Sequence, residues 1–252
     1  MHRFVLVLLV VPLVAAACGG SKKHASTGSA DPTTAVREAA AKTAAAGSDH
    51  VAIFARVAAR GQEVTFRGMG DFDTKRHQGS LKGDFSAGGL NGSLEEISSG
   101  TIAYVKSDLL SALVPGGKPW VKLDLAKTAK AQGVNITSFL SQDPTQALTQ
   151  LQSLRDVKRV NIQTIGSNTK HYRASIDLST LKGAARNGTG RYDVWIGEDG
   201  YVHQVSAVIT TAGTTSTVTT DLSAFGKPVS VELPKPADTY DATNTPIPGL
   251  GG

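Results

Sequence analysis

Residues able to do chemistry are few and scattered along this chain. The six histidines, His2, His24, His50, His77, His171 and His203, nowhere show the spacing that puts two imidazoles on one helix face around a metal. His203 is expected to be an exposed strand residue. Asp71 with Asp73, and Glu95 with Glu96, have the residue types for general acid and base work. Each pair lies at a strand end or in a hydrophilic stretch, so solvated surface is expected for all four. No G-x-S-x-G elbow presents a serine, and no glycine loop of the phosphate-cradling or dinucleotide-binding kind is present. No catalytic residue, metal site or cofactor is expected, and the chain does not read as an enzyme.

The residue that stands out is Cys18, the single cysteine. Alone, it excludes an intramolecular disulfide and the multi-cysteine zinc sites. It follows His2, Arg3, an apolar run from Phe4 to Val14 broken by Pro12, and then Ala15, Ala16 and Ala17. Residues 1–17 therefore read as a signal peptide, too short for a stable membrane span. Cys18, Gly19, Gly20 and Ser21 resemble the start of a bacterial lipoprotein. That resemblance implies a diacylglyceryl or palmitate modification on the Cys18 thiol and a lipid anchor at the outer face of the cytoplasmic membrane. Without acylation the protein would be secreted. Two acyl chains hold a protein at about 0.8 kcal/mol per buried methylene. Residues 18–31 form the acylated cysteine and a flexible tether, whose small polar residues give a reach of roughly 20 Å.

The elements that follow must account for 252 residues that are 40% hydrophobic and 19% charged, an ordinary globular balance. Residues 32–233 are expected to form one domain, and the polar residues 234–252 a disordered tail. A net charge of +5 with no run of five basic residues gives no nucleic-acid patch. Asp31 and Pro32 open a helix of strong helix formers that Gly47 closes. Period-two alternation then begins with Val51, Ile53, Ala55, Val57 and Ala59 on one face.

The next three strands interleave glycines with large apolar residues on one face: Val64, Phe66, Gly68, Gly70 and Phe72; Gly79, Leu81, Gly83 and Phe85; Leu90, Gly92 and Leu94. Glycine inside a strand marks a bend or a close approach. A sheet curved around a central element would use it, as would a sheet that leaves room for a ligand. Glycines that let a helix pack closely are the alternative. Further strands are expected at Thr101 to Lys106, Trp120 to Leu125, Val157 to Ile165, Lys170 to Leu178, Arg191 to Gly197, Tyr201 to Thr211, Thr214 to Ser223 and Val229 to Leu233. Helical pieces are expected at Leu109 to Leu113, Ile136 to Leu140, and from Asp143 through Leu154. The fold class is α+β, one large curved antiparallel sheet of about ten or eleven strands around helical segments.

The order of a lipoprotein leader, a tether, an alanine-rich helix and a strand meander with Tyr104-Val105-Lys106 is joined by two further segments. These are Lys118-Pro119-Trp120-Val121-Lys122-Leu123 and Asp193-Val194-Trp195-Ile196-Gly197-Glu198-Asp199-Gly200. Together they resemble the actinobacterial LppX/LprG-type lipoproteins, which share the fold of the LolA and LolB lipoprotein carriers. The resemblance implies a U-shaped half-barrel wrapping helices around an apolar cavity for acylated lipids or glycolipids, and lipid transport across the cell envelope. Trp120 and Trp195 match strand positions of that family, and Cys18 its acylated cysteine.

On this reading the candidate lining is Ile53, Val57, Phe66, Phe85, Leu94, Tyr104, Leu109, Leu110, Leu113, Leu148 and Leu151, with plain core packing as the alternative for each. The turn from Leu109 to Leu113, flanked by Pro115, Gly116 and Gly117, has the composition of a mobile lid. Expected partners are lipid acyl chains, the membrane and an envelope lipid transporter, with the protein itself a monomer. The alternative function is a non-catalytic envelope interaction protein of the same fold with a packed core.

Overall fold

The first helix starts and stops where its residue types dictate. The Asp31 side chain accepts a hydrogen bond from the Thr34 amide at 3.1 Å, Pro32 occupies the first turn, and Gly47 takes the left-handed conformation at φ +83°. This helix, α1 (Pro32–Ala46), buries Val36, Ala39, Ala40 and Thr43, a narrow stripe of mostly small side chains that brings its axis close to the sheet. The computed structural model describes residues 31–59, 61–127, 148, 151–152, 154–160, 168–176 and 188–243.

Among the described residues, twelve strands form one open sheet. In chain order they are β1 (Ser48–Ala59), β2 (Gln62–Asp73), β3 (Gln78–Ala87), β4 (Leu90–Ser99), β5 (Ile102–Lys106), β6 (Trp120–Asp124), β7 (Lys158–Val160), β8 (Thr169–Ile176), β9 (Thr189–Gly197), β10 (Val202–Thr211), β11 (Thr214–Ser223) and β12 (Thr239–Asp241). Their order in space is β12-β6-β5-β4-β3-β2-β1-β11-β10-β9-β8-β7. The meander from β1 to β6 builds one wing. The strands from β7 to β11 build the other, and β11 docks on β1, which becomes the centre of the sheet. A short helix α2 (Asp108–Ser111) and a 3-10 turn at Pro115–Gly117 join β5 to β6.

The sheet departs from expectation at its ends. It is mixed, because β12 runs parallel to β6, where an all-antiparallel sheet of ten or eleven strands was expected. Residues 229–233, expected to form a strand, form none. A 3-10 turn at Pro236–Asp238 carries the chain into β12, which covers the edge of β6. Lys122 Nζ donates to Asp241 at 2.8 Å there, and that bond, with those from Thr243, holds the Asp241 carboxyl down to about 2. The sequence alternation favours strands with apolar faces and gives no signal for a three-residue edge strand. The expected helix at Ile136 to Leu140 lies outside the described residues.

The glycines explain the curvature. A methyl group on Gly70 would run into the Ser80 carbonyl, and one on Gly83 into the Arg67 carbonyl, so β2 and β3 close toward each other on the apolar face. At Gly68, Gly79 and Gly92 the obstacle is instead the ring of Phe66, Phe72 or Phe85 lying over the strand. The glycines thus serve the bend and seat aromatic rings.

The core lies on this inner face. Val51, Phe72 and Leu81 from the first wing meet Tyr172, Val194, Val205 and Leu222 from the second, with Val36 and Ala40 of α1 and with Leu148, Leu151 and Leu154. Fully burying a side chain such as Val51 or Leu148 contributes about 1.5–3 kcal/mol. Polar contacts fix α1 in place. Thr43 accepts from the Val202 amide at 2.9 Å, next to the register shift between β9 and β10, and Arg37 donates to the Leu154 carbonyl at 3.2 Å.

Candidate functional site

Register decides which predicted residues share a surface. Ile53, Val57, Phe66, Phe85 and Leu94 all project from the inner face, in rows that run straight across β1 to β4. One row is Val57, Val64, Ala87 and Leu90; the next is Ala55, Phe66, Phe85 and Gly92; a third is Ile53, Gly68, Gly83 and Leu94. Val218 extends the second row through its pairing with Ala55.

The inner face is unevenly covered. Val51 and Leu81 are buried in the core, whereas Val64 is 42%, Leu90 55% and Val218 38% exposed. Ile53, Val57, Phe66, Phe85 and Leu94 are half-buried. The result is an apolar trough, roofed toward the Val51 row and open toward the hairpin turn that joins β1 to β2.

Other candidates lie elsewhere. Tyr104 pairs with Ile97, which pairs with Ser80, so it belongs to the outer face and does not share the surface of Phe66 and Leu94. A period-two reading carried separately along each strand does not reveal this, because the parity of β5 relative to β4 depends on their turn. Leu110 is half-buried on α2, Leu109 is 42% and Leu113 38% exposed, and α2 packs beside β4 and β6. Leu148 and Leu151 are fully buried in the same cluster as Val36 and Val51. Cys18 lies outside the described residues.

Glu96 is the functional candidate that the sequence reading missed. It stands between Leu81 of β3 and Val105 of β5 on the inner face, and it is 9% exposed. Burial pushes its carboxyl up to about 7. Its neighbour Glu95 faces outward as expected, bonded to Lys82 at 2.8 Å. The signal was in the alternation itself, since Glu96 continues the series Leu90, Gly92, Leu94.

The outer face is polar and carries a charged cluster on β8 and β9. Asp193, buried, receives Arg173 Nε at 2.7 Å, Arg191 Nε at 3.0 Å and the His171 ring nitrogen Nε2 at 2.7 Å. The His171 ring stacks on Trp195 with centroids 4.4 Å apart. Three donors on one carboxylate tie the two strands together. A shallow depression of about 490 Å³ lies on the other wing, lined by Thr65, Arg67, Asp84, Phe85, Ser86, Asn91 and Gly92. Among the described residues no group of three or more metal-ligating side chains occurs, and no helix is long and apolar enough to cross a membrane.

No protein-family model matches the chain, and no curated protein matches it. Solved structures do. The lipoprotein LppX of Mycobacterium tuberculosis is similar at 16% identity and a TM-score of 0.49, over 80% of this chain and 98% of that one. LprF of Mycobacterium bovis follows at 12% identity and a TM-score of 0.46, over 81% and 96%. A LolA superfamily protein of Nitrosomonas europaea is similar at 10% identity and a TM-score of 0.32, over 80% and 96%.

Proposed function

We propose that this protein is a non-catalytic lipid carrier of the cell envelope, anchored through acylated Cys18 to the outer face of the cytoplasmic membrane and working as a monomer. The observation that carries this reading is the open half of the inner face, where Val64, Leu90 and Val218 are exposed beside Val57, Phe66 and Phe85. Exposed apolar side chains on the inner face gain by taking up acyl chains, at roughly 25 cal/mol per Å² removed from water. A chain of a dozen methylenes buried there supplies about 10 kcal/mol of transfer free energy, before the losses of association. Fixed curvature from Gly70 and Gly83 keeps the trough from collapsing onto itself. The tether of residues 18–31 holds the trough near the source of its cargo, and an envelope lipid transporter is the partner that would receive it.

Native mass spectrometry of the Cys18→Ala protein, expressed in a lipid-rich actinobacterial host and followed by organic extraction, tests the reading. The expected result is a stoichiometric acylated lipid or glycolipid. A bare protein that also rejects fluorescent acyl probes would replace the carrier by an envelope interaction protein of the same fold.

A further inference from the structure

Six inward positions share one row across the first wing: Val51, Gly70, Leu81, Glu96, Val105 and Val121. Five are apolar, and the sixth is a carboxyl. Glu96 is nine-tenths buried and has no hydrogen bond or ion pair among the described residues. Among the described residues its surroundings offer no counter-charge. Leu81 and Gly83 of β3, Leu94 and Ser98 of β4, and Ala103 and Val105 of β5 share its face, and none is charged. Lys82 and Lys106 are on the adjacent strands, but both reach Glu95 on the outer face. On α2 the charged residue is Asp108, which is exposed.

A mostly buried carboxyl without a protein partner is unfavourable to the fold by itself, because it has lost most of its water and gained little in return. Ligand sites have this form, an apolar surface with a small number of polar groups that fix orientation. The charge around Glu96 then selects among ligands. A phosphate or carboxylate headgroup would face a carboxylate with no cation among the described residues of that face to offset the repulsion. A hydroxyl suits both protonation states, donating to the carboxylate or accepting from the neutral acid.

We propose that Glu96 is the polar anchor of the trough, binding a hydroxyl group on the uncharged headgroup of an acyl lipid whose chains lie on the inner face. The inference rests on the lipid-carrier reading and names the class of its cargo. Anionic lipids are disfavoured above neutral pH.

Four pyrene-labelled probes with the same chain test it: a monoacylglycerol, a fatty acid, an alkylamine and a plain alkane, titrated into the Cys18→Ala protein at pH 8. The monoacylglycerol is expected to bind about tenfold more tightly than the fatty acid or the alkane, the value of one hydrogen bond to a charged group. With Glu96→Leu the alkane affinity should persist and the preference vanish. With Glu96→Gln the monoacylglycerol preference over the alkane should survive, while the fatty acid gains. An unchanged preference in Glu96→Leu, or none in the parent while the alkane binds, would overturn the anchor and leave the carrier reading standing. A tighter alkylamine would overturn the neutral-hydroxyl assignment. Failure of the alkane to bind the parent would remove the carrier reading and the anchor with it.

Discussion

Leu81 and Glu96 stand directly opposite each other across the β3–β4 ladder, both on the face that carries the core. A carboxyl therefore shares its row with residues that bury apolar surface, and burial pushes it up to about 7 from an ordinary value of 4.5.

That shift fixes the sign of a pH dependence. The folded state holds the Glu96 proton more tightly than the unfolded state, so the contribution is fully present below about pH 4.5 and is lost as pH rises to about 7. The difference amounts to about 3 kcal/mol. Glu96→Gln should raise stability in urea by an amount of that order at pH 8 and leave it nearly unchanged at pH 4. Equal effects at the two pH values would mean that Glu96 titrates as an ordinary surface carboxylate.

The crease in the first wing makes two glycines unequal. At Gly70 an added methyl meets the Ser80 backbone, which cannot move without breaking the ladder; at Gly92 it meets the end of the Phe85 ring, which can swing aside. Gly70→Ala should destabilise by about 3 kcal/mol and Gly92→Ala by about 1 kcal/mol or less. Thermal unfolding of both variants settles the order, and equal losses would remove the crease as the source of curvature.

Alternation of residue types exposed most of the central sheet, because strands with one buried face must alternate. The helix from Pro32 and the inward glycines could be read directly. Three things could not. The parity of Tyr104 depends on the turn between β4 and β5, not on either strand alone. The edge strand β12 is too short to carry a pattern, and its pairing depends on a distant partner, β6. Glu96 was legible by position but overruled by its charge, since an ionisable side chain is usually found in water.

Thr43 joins α1 to the second wing through one hydroxyl that accepts from the Val202 amide and donates to the Ala39 carbonyl at 2.8 Å. Thr43→Val keeps the shape and leaves the buried amide unpaired, at a loss of about 1–3 kcal/mol. Hydrogen exchange at Val202 should accelerate more than at Val205, which does not depend on that hydroxyl. A uniform acceleration across β10 would instead point to general loss of packing.

Exposed side chains on opposite faces separate cargo binding from mere surface hydrophobicity. Leu90 is 55% exposed and Met69 61%, but Leu90 belongs to the inner row of Val57 and Val64, while Met69 pairs with Ala52 and Lys82 on the outer face. If acyl chains lie in the trough, Leu90→Asp removes apolar contact and places a charge against them, whereas Met69→Asp changes only a solvated surface. Acyl-probe affinity should fall roughly tenfold or more in Leu90→Asp, corresponding to about 50 Å² of lost apolar contact, and stay at the parent value in Met69→Asp. Both positions are largely solvated in the free protein, so neither variant should lose more than about 0.5 kcal/mol of stability. Equal losses of affinity in the two would place the bound chain outside the trough.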